Sequence, residues 1–492
     1  MRKKFIIGIL VVLIIVVISL STLALFKWTS PNTTLTLEVG EMTDVIFQEG
    51  NDIIANNIGP VLNYEDGEIT EFAIINNAEN EQQAKFYLDI SEISDSLKEE
   101  SFKYLLQTST DGTNYDTYKE GNFVSATTGE LIISEDEILP NGRTYYRFII
   151  YIDGNMENPT SMMNNSLKVT FNVGTLNASD ITLVKLGLTA NEGTPNFANI
   201  ATTDEGIYSA QDDYGTSYYF RGAVTNNYVK FAGFYWRIVR INGDGSIRLI
   251  YDGTSAHANG ESSSDRSIGT SAFNYTYGDN AYVGYMMGID NQCASESCKG
   301  TANTISCEQA YANTYDSTIK KTVDNWYKIN IHDAGYSNKI ADVIYCNDRS
   351  IYNGNGYGSS TTYYGGYDRL TTNKSPILTC TNQNDRFTVN DTTLGNGALT
   401  YPVGLITADE VAMGGGKHPT SNFNYYLYAG GYYWTMSPYF FNGFAYEFRV
   451  FTDPDFNNYY VHLAYNVRPV LSLKPSVELT GSGTMDDPWI LS

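Results

Sequence analysis

Residues 167–173 read LKVTFNV, so Leu167, Val169, Phe171 and Val173 alternate with Lys168, Thr170 and Asn172. Period two puts the apolar side chains on one face of an extended strand and the polar ones on the other, the mark of a half-buried antiparallel sheet. The same alternation sets Ala84, Phe86, Leu88 and Ile90 against Lys85, Tyr87 and Asp89, and it recurs in Thr34-Leu35-Thr36-Leu37-Glu38-Val39. Turn formers such as Asp111-Gly112-Thr113-Asn114 and Pro140-Asn141-Gly142 separate these runs. About seven or eight short strands of this kind make residues 31–175 an all-β sandwich. The segment from Ser91 to Leu106 is expected to add a short helix at one end.

Upstream, residues 5–26, FIIGILVVLIIVVISLSTLALF, carry no charge and follow Arg2-Lys3-Lys4. At about 1.5 Å per residue a helix of this length crosses a hydrocarbon core of roughly 30 Å. The basic residues stay in the cytoplasm, which puts everything from Trp28 onward outside. A secretory signal would carry an apolar stretch of only about 7 to 15 residues, although Thr22-Leu23-Ala24 offers a small-residue cleavage pattern. Residues 1–30 are therefore read as a cytoplasmic start and a single-pass membrane anchor, with cleavage left open.

Downstream, residues 176–205 are weakly patterned and read as a linker. From Gly206 the composition turns to Tyr, Gly, Asn and Thr. Phe234 to Ile241, Asn242-Gly243-Asp244-Gly245 and Ile247 to Tyr251 spell a hairpin, because Asn-Gly and Asp-Gly supply the positive φ of a tight turn. Asp316 or Ser317 can cap a helix carrying Ile319, Val323 and Trp326, and Thr407-Ala408-Asp409-Glu410 is a capping box. Between these helices lies a long Gly/Ser/Tyr/Asn-rich loop, Asn353 to Asp391. Strands return from Tyr432 onward. Residues 206–475 thus read as an α+β domain, and 476–492 as a turn and one edge strand. The whole is multi-domain: a transmembrane helix, a β-sandwich and an α+β domain.

Acidic residues number 55 against 31 Lys and Arg, a net charge of -24. That balance repels nucleic acid and anionic headgroups. The 40 tyrosines outnumber Lys and Arg together. Tyr suits recognition surfaces and sugar stacking, and it is also an ordinary strand former. The five cysteines are Cys293, Cys298, Cys307, Cys346 and Cys380, an odd count outside the membrane where disulfides persist. Cys346 is expected to pair with Cys380, and a second pair to come from Cys293, Cys298 and Cys307.

Only four histidines occur, and neither H-E-x-x-H nor G-x-S-x-G. Asp348, Asp385 and Asp391 sit in acidic-amide clusters in or beside the long loop, which makes them candidate calcium ligands. No D-x-D-x-D-G run supports them, and neighbouring Arg residues argue for salt bridges instead. Tyr357, Tyr363, Tyr364 and Tyr367, with Asp368, Asn384 and Asp385, form the candidate ligand-binding set, because small polar neighbours leave these rings open. Trp236, Trp326 and Trp434 read as core, and Arg468 as a paired structural Arg.

The string Gly206-Ile207-Tyr208, Tyr218 to Val224, Trp236 to Ile241, Trp326-Tyr327, Tyr433 to Pro438 and Val467 to Val470 resembles a group of membrane-anchored surface proteins of Firmicutes. Their C-terminal domain is similar to a domain of unknown function distantly related to the C-type-lectin and formylglycine-generating-enzyme fold. The resemblance implies a C-type-lectin-like fold over residues 206–475. The E-P-N and W-N-D triplets that hold calcium and sugar in C-type lectins are absent, and no cysteine follows Cys380. Residues 31–175 are loosely similar to the camelysin/TasA-like sandwich proteins of biofilm matrix and spore surfaces.

The expected function is binding or adhesion at the cell surface, without catalysis or a resident cofactor, to glycan, matrix or another surface protein. One alternative is a structural matrix component that assembles through an exposed edge strand at Leu35 to Val39. Another is an enzyme that uses the unpaired Cys.

Overall fold

The computed structural model describes residues 34–39, 45–48, 60–76, 82–139, 142–155, 167–175, 177–291, 300–301, 304–450 and 456–491. The chain is mostly β-sheet and divides into two compact units, Met1–Leu176 and Asn177–Ser492. Among the described residues no helix is long and apolar enough to cross a membrane. The stretch 5–26, on which the anchor reading rests, lies outside them, as do Cys293 and Cys298.

In the first unit the alternating segments pair with one another. Leu167–Thr175 runs antiparallel to Gln82–Ile93, with Val169 opposite Ile90. Four strands follow in the order Thr34–Val39, Leu167–Thr175, Gln82–Ile93 and Gly129–Leu139. The first joins in parallel, Leu35 opposite Val169, and forms one edge. A six-stranded sheet takes the second layer, centred on Gly142–Asp153 between Glu68–Asn76 and Phe102–Ser109. Period two turns Ala84, Phe86, Leu88 and Ile90 to one face. There they share a core with Phe72, Tyr104, Leu106, Phe148 and Ile150 of the other sheet. The helix expected between Ser91 and Leu106 shrinks to one 3-10 turn, Asp95–Leu97, because the flanking strands extend to Ile93 and start again at Phe102.

Residues 177–205, read above as a linker, fall inside the second unit. Ala178–Lys185 is a helix, and the Asp180 carboxylate accepts the Asn177 N–H at 2.9 Å. Leu183 enters the main core, and the Thr182 hydroxyl donates to the Gly245 carbonyl. The predicted hairpin forms between Phe234–Ile241 and Ile247–Gly253, with Gly245 at φ 81° in its turn. It anchors an eight-stranded sheet. Trp489–Leu491 pairs in parallel with Tyr228–Phe231, so this part of the C-terminal segment is interior to the sheet, and Leu479–Thr480 takes the edge.

A seven-stranded sheet surrounds Tyr433–Phe441, and both sheets contribute to one core that includes Trp236 and Trp434. Ser317 caps the helix Thr318–Tyr327, whose Ile319 and Val323 are buried while Trp326 is half-buried against the core. Thr407 and Glu410 close the predicted capping box of Ala408–Met413. Cys346 and Cys380 form the expected disulfide and tie down the long loop.

Candidate functional site

Four strands of the second unit lie side by side: Thr362–Tyr364, Tyr433–Phe441, Ala445–Val450 and Phe456–Tyr460. Their register sets Tyr363 opposite Phe440, Phe440 opposite Tyr446, and Tyr446 opposite Tyr460. One ring per strand therefore lines up across the sheet. Successive centroids lie 5.6, 4.3 and 4.6 Å apart. Tyr367 extends the row beyond Tyr363 at 4.8 Å, and Phe444 extends it beyond Tyr460 at 5.2 Å. Tyr277 then stacks on Phe444 at 4.9 Å. All of these rings are half-buried or exposed.

Spacing decides what this row presents. Strands lie about 4.8 Å apart, closer than two rings lying flat can sit. The rings therefore stand up and lean on one another, tilted by 44°, 38° and 36°. The row is packed at both ends as well, with Tyr367 5.1 Å from Tyr439 and Tyr277 4.3 Å from His462. Burial, then the neighbouring Tyr460 phenol, pushes the Tyr446 phenol well above its ordinary value. A tyrosine hydroxyl can both donate and accept.

The layer beneath buries both an acid and a cation. Residues alternate along a strand, so Glu447 points away from Tyr446. It is fully buried, and neither carboxylate oxygen has a hydrogen-bond partner. Burial raises its pKa far above the carboxylate range and keeps it an uncharged acid. Beside the row, Arg449 sits over three rings, 4.4 Å from Tyr432 and 4.1 Å from both Tyr459 and Tyr465. At 2% exposure it is an internal cation that props those tyrosines in place.

The predicted site residues divide. Tyr363 and Tyr367 join the row. Tyr364, on the opposite face of its strand, is fully buried and its hydroxyl donates to Asn280 Oδ1 at 2.9 Å. Tyr357 is half-buried, and its carbonyl accepts from Asn280. Asp368 accepts from Asn373, and the exposed Asn384 donates to the Tyr311 carbonyl. The candidate calcium ligands do not converge. Asp385 is buried against Arg349 at 2.6 Å, Asp348 pairs with Arg369 at 2.8 Å, and Asp391 accepts from the Thr393 and Leu394 N–H groups. Among the described residues no group of three His, Cys, Asp or Glu side chains is placed to hold a metal.

Two other constellations have chemistry in their composition. Asp212, Arg240, Arg248, Arg369, Asp409 and Glu410 line a cavity of about 20 Å³, room for a single water. Glu410 lies 2.9 Å from Arg240 and 2.6 Å from Arg248, and Asp212 lies 2.5 Å from Arg240. These groups neutralise one another. His257 lies 3.4 Å from the Ser255 hydroxyl and 3.0 Å from Glu261, an outline of Ser-His-Glu. Its Nε2, however, is 2.9 Å from Asp265, so both ring nitrogens are engaged by carboxylates rather than aimed at the Ser255 hydroxyl. Cys307 is free and exposed, and burial pushes its thiol up, the opposite of nucleophile activation.

Phe440, Tyr446 and Tyr460 escaped the sequence reading. They lie one per strand, and only the register brings them together. No family model, curated protein or solved structure matches the chain.

Proposed function

We propose that the chain is a non-catalytic binding or adhesion protein, held at the cell surface by the apolar segment 5–26, with the aromatic row as its contact surface. In this reading the first unit is a camelysin/TasA-like sandwich stalk, and the second a C-type-lectin-like domain that meets glycan, matrix or another surface protein. The observation that carries it is the half-exposed, in-register row Tyr363, Phe440, Tyr446 and Tyr460. A natural β-surface seldom spends so many large rings at the solvent boundary, and clustered exposed aromatics mark interaction sites. Tyrosine hydroxyls give directional hydrogen bonds at low entropy cost. The net charge of -24 turns the proposal away from nucleic acid and polyanionic polymers.

The test is the full chain in detergent on an array of glycans and matrix proteins, with and without a calcium chelator. The reading expects binding that survives chelation, because Asp348 and Asp385 are engaged with Arg369 and Arg349. Absence of binding in both conditions overturns it. A structural role in a matrix is the second reading, favoured by the position of Thr34–Val39 at a sheet edge. Fibres formed by the purified chain would favour it over the first.

A further inference from the structure

We infer that Tyr446 and Tyr460 are a built-in oxidative cross-linking site, which joins two neighbouring strands through a dityrosine bond. The inference concerns covalent chemistry within the row and stands whatever ligand the row meets.

The two residues are direct cross-strand partners on Ala445–Val450 and Phe456–Tyr460. Their ring centroids lie 4.6 Å apart with the planes 36° from parallel. No other Tyr–Tyr pair among the described residues is closer. Register and spacing together bring the two phenol rings into direct contact across the strands. Both rings are half-exposed, which admits electron transfer to an oxidant that cannot enter the core.

The neighbours confine the chemistry to this pair. Phe440 lies 4.3 Å from Tyr446 and Phe444 lies 5.2 Å from Tyr460. Phenylalanine is far harder to oxidise than a phenol, so a radical formed between the two phenylalanines does not leave along the row. Tyr460 also meets His462 at 5.7 Å, an imidazole harder to oxidise than a phenol, and Tyr459 at 5.3 Å, which lies 4.1 Å from the Arg449 guanidinium. A cation over a ring disfavours removing an electron from it. Both phenols are half-exposed, so solvent takes the proton each one loses.

The oxidant is of the haem peroxidase class, with hydrogen peroxide as co-substrate. Each phenol gives up one electron and one proton. The ortho carbons of the two phenoxyl radicals join in a C–C bond, and the two ortho hydrogens move to the oxygens and restore the hydroxyls. The protein loses two hydrogen atoms overall, and one hydrogen peroxide is reduced to two waters.

The test treats the full chain in detergent with a haem peroxidase and hydrogen peroxide. It reads dityrosine fluorescence, intact mass and the tryptic map. The expected product is monomeric, lighter by two hydrogens, and formed in a yield per chain that does not change on dilution. Trypsin cuts after Arg449, so the peptides bearing Tyr446 and Tyr460 should emerge as one covalent species. Tyr446→Phe and Tyr460→Phe, which keep the stack, should each lose the signal, whereas Tyr432→Phe should keep it. Undiminished fluorescence in Tyr446→Phe, products that are covalent dimers, or no dityrosine in the unaltered chain would each overturn the inference.

Discussion

The two units solve the same problem with different material. In the first, Ala84, Phe86, Leu88, Phe148 and Ile150 fill the space between two sheets, and the charges stay at the rim, as in the half-exposed pairs Arg147–Glu71 and Lys103–Asp153. Pairs of that kind contribute about 0–1 kcal/mol. The second unit has an apolar core too, yet it also sinks charge into it. Arg237, Arg248, Arg266, Arg349 and Arg468 are at most 2% exposed. Arg266 and Arg468 share Asp252, at 2.7 and 2.9 Å, and Arg237 holds Asn227 Oδ1 and the Val224 carbonyl. Apolar packing suffices where strands are regular. Where long loops cross between sheets, guanidinium forks satisfy backbone carbonyls that no ladder reaches, and they fix where each loop lies. The cost is that removing one partner strands the others.

The largest effect should come from breaking that arrangement. Asp252→Ala leaves Arg266 and Arg468 buried without their carboxylate and should cost about 3–5 kcal/mol. Denaturant melts should show the transition of the second unit lowered and that of the first unmoved. Leu88→Ala inverts the contrast. It should cost about 2–5 kcal/mol through cavity formation in the first unit alone. Reducing Cys346–Cys380, which closes a separation of 34 residues, should cost roughly 2–4 kcal/mol and again touch only the second unit.

A pH scan sharpens the comparison at lower amplitude. Asp324 is pushed up to about 6 by burial, against the opposing pull of Lys320. Its folded pKa lies above the unfolded one, so its contribution is complete below the unfolded value and is lost as pH rises through about 6. Asp324→Asn should flatten that part of the stability curve of the second unit, as read by melts from pH 4 to pH 7.

What could be read beforehand follows the same divide. The period-two runs of the first unit, the hairpin after Phe234, the capping box at Thr407 and the Cys346–Cys380 pair are local signals, and each formed. The helix Ala178–Lys185 was missed because eight residues are too few to show a periodic face. Arg residues beside the acidic clusters did signal ion pairs, but not the partners. Arg349 takes Asp385 rather than Asp348, Arg369 takes Asp348 and Asp409, and Arg386 takes Asp213. At the candidate site, small polar neighbours pointed to Tyr363 and Tyr367, which are half-exposed, and equally to Tyr364, which its strand turns inward. Register across distant strands carries no mark in a single sequence.

The most direct measurement compares affinities for whichever glycan or matrix protein the array identifies. Tyr363→Ser with Tyr446→Ser removes two members of the row while leaving Arg449, Asp252 and the disulfide in place. Binding should weaken by roughly 2 kcal/mol or more, about thirtyfold, with the melting transition of the second unit retained. Unchanged affinity in a folded double variant would contradict the aromatic row as the contact surface.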